Sequence, residues 1–330
     1  MINHTNVTKL QQQRLKNKKK RYHGLNDRNL HLKISSLMRL LCENANSDML
    51  SYVSSHLRQE EQRAIEDEIV VGFVSKFFTK NHAHGQLLRG SIQHLAQSSR
   101  FRVILFCVRG VEDLSQPVLD AADQVVMIDL TLKKARDTIA SYKLDALVFA
   151  DSQSEAMSQF LLYNRLAPVQ ILFWGNPVTS GVENTVDYFI TGERLERFVR
   201  GSSTVTLNLT DLAHDQYSEQ HVLFRGQGIW YDPVQVPINS GVPNRADMGF
   251  QEDWHLYMCP QSVFKIHPIF DHVLRDILCN DRRAHVVFVQ GRLKDWTERL
   301  QKRLNRSLRC DLDDNITFSS RVHFVRSRKI

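Results

Sequence analysis

The sequence predicts an α/β protein built on open, parallel sheets. Short, nearly continuous apolar runs alternate with segments in which apolar residues recur every three or four positions. Strands that are apolar throughout need cover on both faces, and helices provide it in parallel sheets. The chain has 330 residues, of which 42% are hydrophobic and 24% charged. That length and composition favour two globular domains, each with a core of its own.

The first sheet is predicted between residues 66 and 235. Apolar runs predict strands at 69–74, 101–108, 124–130, 145–150 and 169–174. Helical periodicity separates several of them, at 84–97, 131–142 and 154–166. Strands that alternate with helices in this way predict one Rossmann-type parallel sheet domain over 66–235.

A second, smaller sheet is predicted near the end of the chain. Its strands are expected at 254–260, 285–290 and 321–325, a largely helical segment at 262–279 and a helix at 292–306. Three strands with two crossovers make half of a doubly wound sheet, so we expect an incomplete second Rossmann-type domain over 252–330. Pro, Gly and Asn are frequent in the run 230–249, which predicts a linker at 236–251.

The residues before the first sheet divide into a basic tail and a helical segment. Residues 1–33 contain nine Lys or Arg and one Asp, a net charge of +8, whereas the remaining chain has 34 basic and 35 acidic residues. A solvated, disordered tail fits this composition, although the run Lys16 to Arg21 can also bind nucleic acid, anionic lipid or an import receptor. Apolar spacing predicts a helical connecting region over 34–65.

The sequence contains no candidate membrane or export segment. No apolar stretch approaches the roughly 20 residues that a membrane helix needs. The first residues lack the apolar core of a signal peptide. We therefore expect no membrane span and a cytoplasmic or nuclear location.

Three loops are candidates for ligand binding, because ligands of open parallel sheets bind beyond the carboxyl ends of the strands. They follow the predicted strands 69–74, 169–174 and 254–260, and they read SKFFTKNHAHG, GNPVTSG and PQSVFK. Glycines permit close backbone approach, and amides at helix starts favour phosphate oxygens. Two such domains that face each other across a cleft describe the GT-B architecture of nucleotide-sugar glycosyltransferases.

The segments VGFVSKFFTKNHAHGQLL, APVQILFWGNPVTSG and YMCPQSVFKIHP resemble the catalytic region of the protein O-GlcNAc transferase and SPINDLY family. The resemblance covers residues 66–330. It implies a GT-B-like fold and the transfer of a sugar from a nucleotide diphosphate donor, a UDP-sugar, to Ser or Thr of intracellular proteins. It implies no resident cofactor and no metal.

His82 occupies the position of the active-site histidine of this family, near the donor phosphates and the acceptor hydroxyl. An imidazole there can act as a general base or as a hydrogen-bond donor to phosphate. The alternative is a histidine that caps the helix beginning near His84. The two histidines can also ligate a metal as a pair, but no cluster of Cys or carboxylates near them completes such a site.

Lys265 matches the family lysine that contacts the donor diphosphate. At the start of a helix, its charge would add to the attraction of the helix dipole for an anion. The alternative is an ordinary solvated lysine. Gln261 resembles the uridine-contacting glutamine, but it lies four residues before Lys265, whereas the animal enzymes have a spacing of three, where Ser262 stands here.

The loop GNPVTSG resembles the family loop that lines the sugar side of the cleft. Gly175 and Pro177 are expected to shape its turn, and Thr179, Ser180 and Gly181 offer hydroxyls and backbone amides. The alternative is a plain strand-to-helix connection with an N-cap, which uses the same residue types.

The sequence also departs from the family pattern. Asp145 replaces a family histidine, and Asp151 and Ser152 replace an Asn-Gly pair, which affects the expected recognition of the donor sugar. The chain ends before the family's phosphate- and ribose-binding loop, so we expect an incomplete chain with weak or absent transferase activity. A catalytically inactive interaction module that retains the first Rossmann domain is the alternative. If the chain is an enzyme, His82, Lys265 and the loop 175–181 should face one cleft.

Overall fold

The computed structural model describes residues 26–44, 48–58, 67–79, 82–108, 114–151, 155–174, 179–196, 216–230, 244–291, 293–308 and 321–325. The described residues belong to two compact units. The N-terminal unit lies within Gly24–Val234 and the C-terminal unit within Gln235–Ile330. Each is described by itself below.

The N-terminal unit is built on a seven-stranded parallel sheet with the order β3-β2-β1-β4-β5-β6-β7. The strands are β1 Ile69–Ser75, β2 Phe101–Val108, β3 Gln124–Ile128, β4 Ala146–Phe149, β5 Val169–Phe173, β6 Tyr188–Gly192 and β7 Gln220–Phe224. The first five confirm the predicted strands and their common parallel sheet, whereas the apolar pattern did not identify β6 and β7. The strand order reverses between β1 and β4, which is where a doubly wound sheet opens a crevice for ligands.

Six helices lie in this unit among its described residues. They are α1 Arg28–Glu43, α2 Ala83–Ala96, α3 Gln116–Leu119, α4 Leu132–Ser141, α5 Ala156–Leu161 and α6 Glu193–Glu196, with 3-10 turns at Asp48–Leu50 and Ser55–Arg58. Helix α1 begins inside the predicted tail 1–33, because His31, Ser35, Met38 and Cys42 form a buried helical stripe. Residues 1–25 and 59–66 of the predicted tail and connecting region lie outside the described residues.

Alternation along β1 and β2 fills a core on each face of the sheet. Val74, Ile104 and Phe106 are buried with residues of α1, α4 and α5. Phe73 and Leu105 point to the opposite face and are buried with residues of α2 and α3. Because successive side chains of a strand alternate between faces, apolar residues at nearly every position place these strands between two layers of helices.

Three aspartates link neighbouring strands at the amino-terminal edge of the sheet. Asp123, Asp145 and Asp187 stand immediately before β3, β4 and β6. Each accepts a hydrogen bond of 2.7 Å from a backbone N–H of the adjacent strand, at Val103, Val70 and Gln170 respectively. A carboxylate that accepts from a backbone amide makes a strong, charge-assisted bond. The replacement of a family histidine by Asp145 therefore lies at the edge of the sheet opposite the expected site.

The C-terminal unit has a three-stranded parallel sheet with the order β10-β9-β8. The elements are β8 His255–Cys259, a 3-10 turn Val263–Lys265, α7 Phe270–Asn280, β9 Ala284–Val289, α8 Lys294–Ser307 and β10 Val322–Val325. Its core joins both helices to the sheet through residues that include Leu274, Phe288 and Leu300. This second Rossmann-type sheet confirms the predicted α/β class.

The segment 262–279 is largely helical, as predicted, but it is divided into two elements. They are the 3-10 turn and α7, and residues 266–269 separate them. Pro268 has no backbone N–H and disfavours helical geometry at the residue before it, so one helix through this position is costly.

Among the described residues, no helix has both the length and the apolar character that crossing a membrane requires.

Candidate functional site

The carboxyl ends of β1 and β4 meet at a buried carboxyl group. Asp151 follows β4 and has an exposed fraction of 0%. It accepts a hydrogen bond of 3.0 Å from the Ser158 hydroxyl and one of 3.4 Å from the Lys76 N–H, and the Ser75 side chain also bonds to it. Burial raises the pKa of Asp151 to about 8, and these hydrogen bonds only partly oppose the shift. The carboxyl is therefore mostly protonated at neutral pH.

A lysine and a glutamate flank this carboxyl. Lys76 Nζ lies 3.8 Å from Glu155 Oε1. The other oxygen of Glu155 accepts a hydrogen bond of 3.0 Å from the Ser158 N–H and so caps α5. The start of α5 and the end of β1 are thus joined twice, through Asp151 and through this ion pair.

His82 lies at the start of α2, in the loop that follows β1. It is the N-cap residue, and its Nδ1 accepts a hydrogen bond of 3.3 Å from the His84 N–H. The Phe77 ring stacks on the His82 ring, with 4.0 Å between centroids and 10° between planes. With Nδ1 as the acceptor, the neutral imidazole has its proton on Nε2. The cap is therefore compatible with an Nε2–H donor to phosphate, whereas catalysis by Nδ1 as a base would require the cap bond to break.

The two histidines of this loop are close neighbours, with 3.1 Å between their Nδ1 atoms. In the described parts of the chain, no group of three or more His, Cys, Asp or Glu is placed to hold a metal ion.

Two of the predicted sugar-side residues lie at the opposite edge of the sheet. Thr179 Oγ1 donates to Glu219 over 2.6 Å, and the Ser180 N–H donates to the same carboxylate over 2.9 Å, as does the Ser180 hydroxyl. All three side chains are buried. Glu219 directly precedes β7, so Thr179 and Ser180 lie at the amino-terminal edge.

Gly181 continues the same connection and packs on helix α1. Its φ is +68°, and a Cβ there would lie 2.4 Å from the carbonyl carbon of His31. Glycine is the residue that adopts this conformation and fits this space. The described part of the loop is thus a structural connection, but it leads to β6 and contains no described helix, so it is not the strand-to-helix connection that the alternative predicted. Gly175 and Pro177 lie outside the described residues.

Trp174 directly follows β5 at the carboxyl edge and was not identified from the sequence as a site residue. Its indole N–H is buried, and none of the described residues accepts a hydrogen bond from it. A buried N–H without an acceptor costs about 1–3 kcal/mol, so this position favours a polar ligand group.

Lys265 and Gln261 lie beyond the carboxyl end of β8, in the C-terminal unit. Lys265 ends the 3-10 turn rather than starting a helix, so the predicted help from a helix dipole is wrong. Gln261 is exposed, and its Oε1 accepts a hydrogen bond of 2.9 Å from the Ser262 N–H. A Cβ at Gly291, which follows β9, would lie 2.8 Å from Val263 Cγ2. Glycine at this position therefore lets the segments that follow β8 and β9 pack closely together. The shared cleft for His82 and Lys265 stays a prediction.

No family model matches the chain, and no curated protein sequence does. Among solved structures, the chain is similar to a mutant of the O-GlcNAc transferase from Thermobaculum terrenum, with a TM-score of 0.59 and 17% identity over 82% of this chain. The fold is GT-B-like. The match covers 48% of the transferase, so the chain spans about half of that protein. A putative UDP-N-acetylglucosamine 2-epimerase from Listeria monocytogenes has a TM-score of 0.40 and 12% identity, over 79% of this chain and 70% of the epimerase.

Proposed function

We propose that the chain acts in nucleotide-sugar-dependent O-glycosylation, transferring a sugar from a UDP-sugar to Ser or Thr of intracellular proteins. The observation that supports this most directly is the GT-B-like fold with His82 at the carboxyl edge of the N-terminal sheet. Sheets of this kind bind ligands at that edge. No metal or resident cofactor enters the proposal.

In the proposed reaction, the acceptor hydroxyl oxygen attacks the anomeric carbon of the sugar. The bond from that carbon to the phosphate oxygen breaks, and the nucleoside diphosphate leaves with its electron pair. The hydroxyl proton passes to the leaving phosphate or to solvent. His82 donates its Nε2–H to a phosphate oxygen, which stabilises the charge that develops there. Lys265 adds a positive charge to the diphosphate, and Gln261 contacts the uracil.

The remaining candidate residues have supporting roles in this proposal. Gly175 and Pro177 keep the role that the family resemblance implies, which is to shape the turn of the sugar-side loop. Trp174 offers its indole N–H as a donor to the ligand. Thr179, Ser180 and Gly181 hold the far end of the same connection through Glu219 and α1.

Transfer of labelled sugar to the proteins of a cell lysate tests the proposal, with the full chain and several nucleotide-sugar donors. We expect weak labelling of Ser or Thr, in line with the activity expected from the sequence, and a loss of about 10-fold to 100-fold in His82→Ala, the value of a hydrogen bond to a charged group. His82→Gln keeps an N–H donor and should retain more activity than the alanine variant. His94→Ala is the matched control, because His94 lies near the other end of α2, against Trp230.

Donor binding is the second measurement, by calorimetry with UDP. Lys265→Ala should weaken binding about 10-fold or more. Lys294→Ala, at an exposed lysine of the same unit, should leave it unchanged. A chain that neither binds UDP nor transfers label contradicts the proposal and supports the interaction-module alternative.

A further inference from the structure

A continuous series of contacts links the buried Asp151 to His82, although the two residues are 69 positions apart in the sequence. Its first step is the bond between Asp151 and Ser75, at the carboxyl ends of β4 and β1. The hydroxyl of Ser75 also accepts a hydrogen bond of 2.8 Å from the Phe77 N–H. The Phe77 ring then packs flat on the His82 ring.

Asp151 is also held by helix α5. The Ser158 hydroxyl donates to it over 3.0 Å, and both residues have exposed fractions of 0%. Ser158 belongs to α5, which Glu155 caps. The carboxyl therefore connects a fixed helix to the backbone of the loop that follows β1.

We propose that Asp151 is a positioning residue for His82, acting through Ser75 and Phe77. The inference rests on the role proposed above for His82. If Asp151 is removed, Ser75 loses a partner, the turn at Phe77 loosens, and His82 loses the flat surface that orients its ring toward the ligand.

The chemical form of Asp151 gives this proposal a distinctive test. The charged groups beside the carboxyl are Lys76, from the end of β1, and Glu155, from the start of α5. Burial is the main cause that raises the pKa of Asp151 to about 8, Glu155 raises it further, and the hydrogen bonds from Ser158, Ser75 and the Lys76 N–H oppose the shift. An asparagine has the shape of a protonated aspartate and also has both a donor and an acceptor. Asp151→Asn should therefore preserve the position of His82, and Asp151→Ala should not.

The experiment is NMR of the histidine rings in the isotopically labelled full chain. The His82 signals are assigned by their loss in His82→Gln, and the face of the Phe77 ring should shift them upfield. We expect Asp151→Ala and Ser75→Ala to reduce that shift and Asp151→Asn to keep it. Asp145→Ala is the matched control, because Asp145 lies at the other end of the same strand, and it should leave the shift unchanged.

Transfer activity provides a second readout. Asp151→Ala should lower kcat about 10-fold, with Asp151→Asn close to the unmodified chain. Unmoved His82 signals in folded Asp151→Ala and Ser75→Ala overturn the positioning role. If Asp151→Ala does not fold, the His82 signals of Ser75→Ala and Asp151→Asn test the positioning role without it. If the unmodified chain transfers no sugar, the proposed function fails, while the NMR result still stands for or against the positioning contact.

Discussion

At the scale of single residues, the two units bury titratable side chains with opposite pH preferences. The N-terminal unit buries Asp151, whose pKa is raised to about 8 by burial. In the C-terminal unit, His285 Nδ1 lies 2.8 Å from His323 Nε2, and Trp254 stacks on His285 with 3.6 Å between centroids. Burial lowers the pKa of both histidines, and for His285 the neighbouring His323 and Arg321 lower it further, while Asp253 raises it. A hydrogen bond between the two rings needs an N–H on one and an unprotonated nitrogen on the other. Two neutral imidazoles provide these, whereas protonation of both rings removes the acceptor and disrupts the pair.

The raised pKa of Asp151 predicts that the N-terminal unit loses stability as the pH rises from about 4 to 8. In this range the unfolded carboxyl releases its proton near its ordinary pKa of about 3.9, whereas the folded carboxyl keeps it until about 8. The slope is about 1 kcal/mol per pH unit. Urea unfolding of the double variant Trp254→Phe/Trp296→Phe measures this pH dependence. Its fluorescence comes only from Trp174 and Trp230, which lie in the N-terminal unit. Asp151→Asn should flatten the slope, and an equal slope in that variant contradicts the assignment.

The lowered pKa values of His285 and His323 predict the reverse for the C-terminal unit. Its free energy of unfolding should be highest above about pH 6.5, the ordinary pKa of histidine. It should fall as the pH drops from there through the lower pKa values of the two histidines in the folded state. Urea unfolding from pH 7.5 to pH 5 in Trp174→Phe/Trp230→Phe measures this, because Trp254 and Trp296 then supply the fluorescence. His272→Gln, at an exposed histidine of α7, should leave the pH dependence intact. His323→Gln should reduce it, and an unchanged curve counts against the pair.

At the scale of elements, local patterns predicted most of the N-terminal sheet. Strands β1 and β2 are apolar at nearly every position, so neighbouring residues alone identify them. Strands β6 and β7 have five residues each and include polar positions, which gave a weaker signal. Pro268 indicates in the sequence itself that the helical segment is interrupted before α7.

The candidate site was less predictable, because its contacts join distant parts of the chain. Glu219 binds Thr179 and Ser180 from about 40 positions away, and nothing in the loop itself indicates that partner. The sequence shows that Asp151 departs from the family pattern, but it does not show that the residue is buried. That burial depends on β1 and α5 together. The cap formed by His82 followed from its place before a helix and was among the sequence alternatives.

The aspartates at the amino-terminal edge should each stabilise the sheet. Replacing Asp145 or Asp187 with Ala should cost about 1–3 kcal/mol, because each change leaves a strand N–H without its charged acceptor. Asp123 is more exposed, so water can replace it and the cost should be at the low end of that range. Asp120→Ala, at an exposed helix end, is the control and should change stability by about 0.5 kcal/mol or less. Urea unfolding measures all four, and equal losses across them would contradict this account.

At the scale of the whole molecule, the formal charge of +7 comes from the first residues. Residues 1–25 contain seven Lys or Arg and no acidic residue, whereas the rest of the chain has 36 of each. Each unit also has cores of its own: two in the N-terminal unit and one in the C-terminal unit, among the residues that the structure describes. The excess charge is therefore separate from the folded units in sequence.

Deletion of residues 1–25 should abolish binding to polyanions and leave the fold intact. The shortened chain has a formal net charge of zero, so it should pass through a heparin column that retains the full chain at low salt. Retention of the full chain should fall steeply with salt, because binding releases counterions. Circular dichroism of the two chains supplies the control for folding. Equal retention would place the binding surface in the folded units instead.

The hydrogen bonds between strand amides and aspartates at the amino-terminal edge of the N-terminal sheet affect which parts of the sequence can vary. They lie where the strands begin, whereas Lys76, His82 and Trp174 follow the ends of strands. Loops tolerate variation better than the elements they connect. A gene library that varies residues 79–81 and 175–178 therefore explores new ligands without altering His82 or the bonds that set the strand register. Selection for a new acceptor can proceed at one end of the sheet while the other end preserves the scaffold.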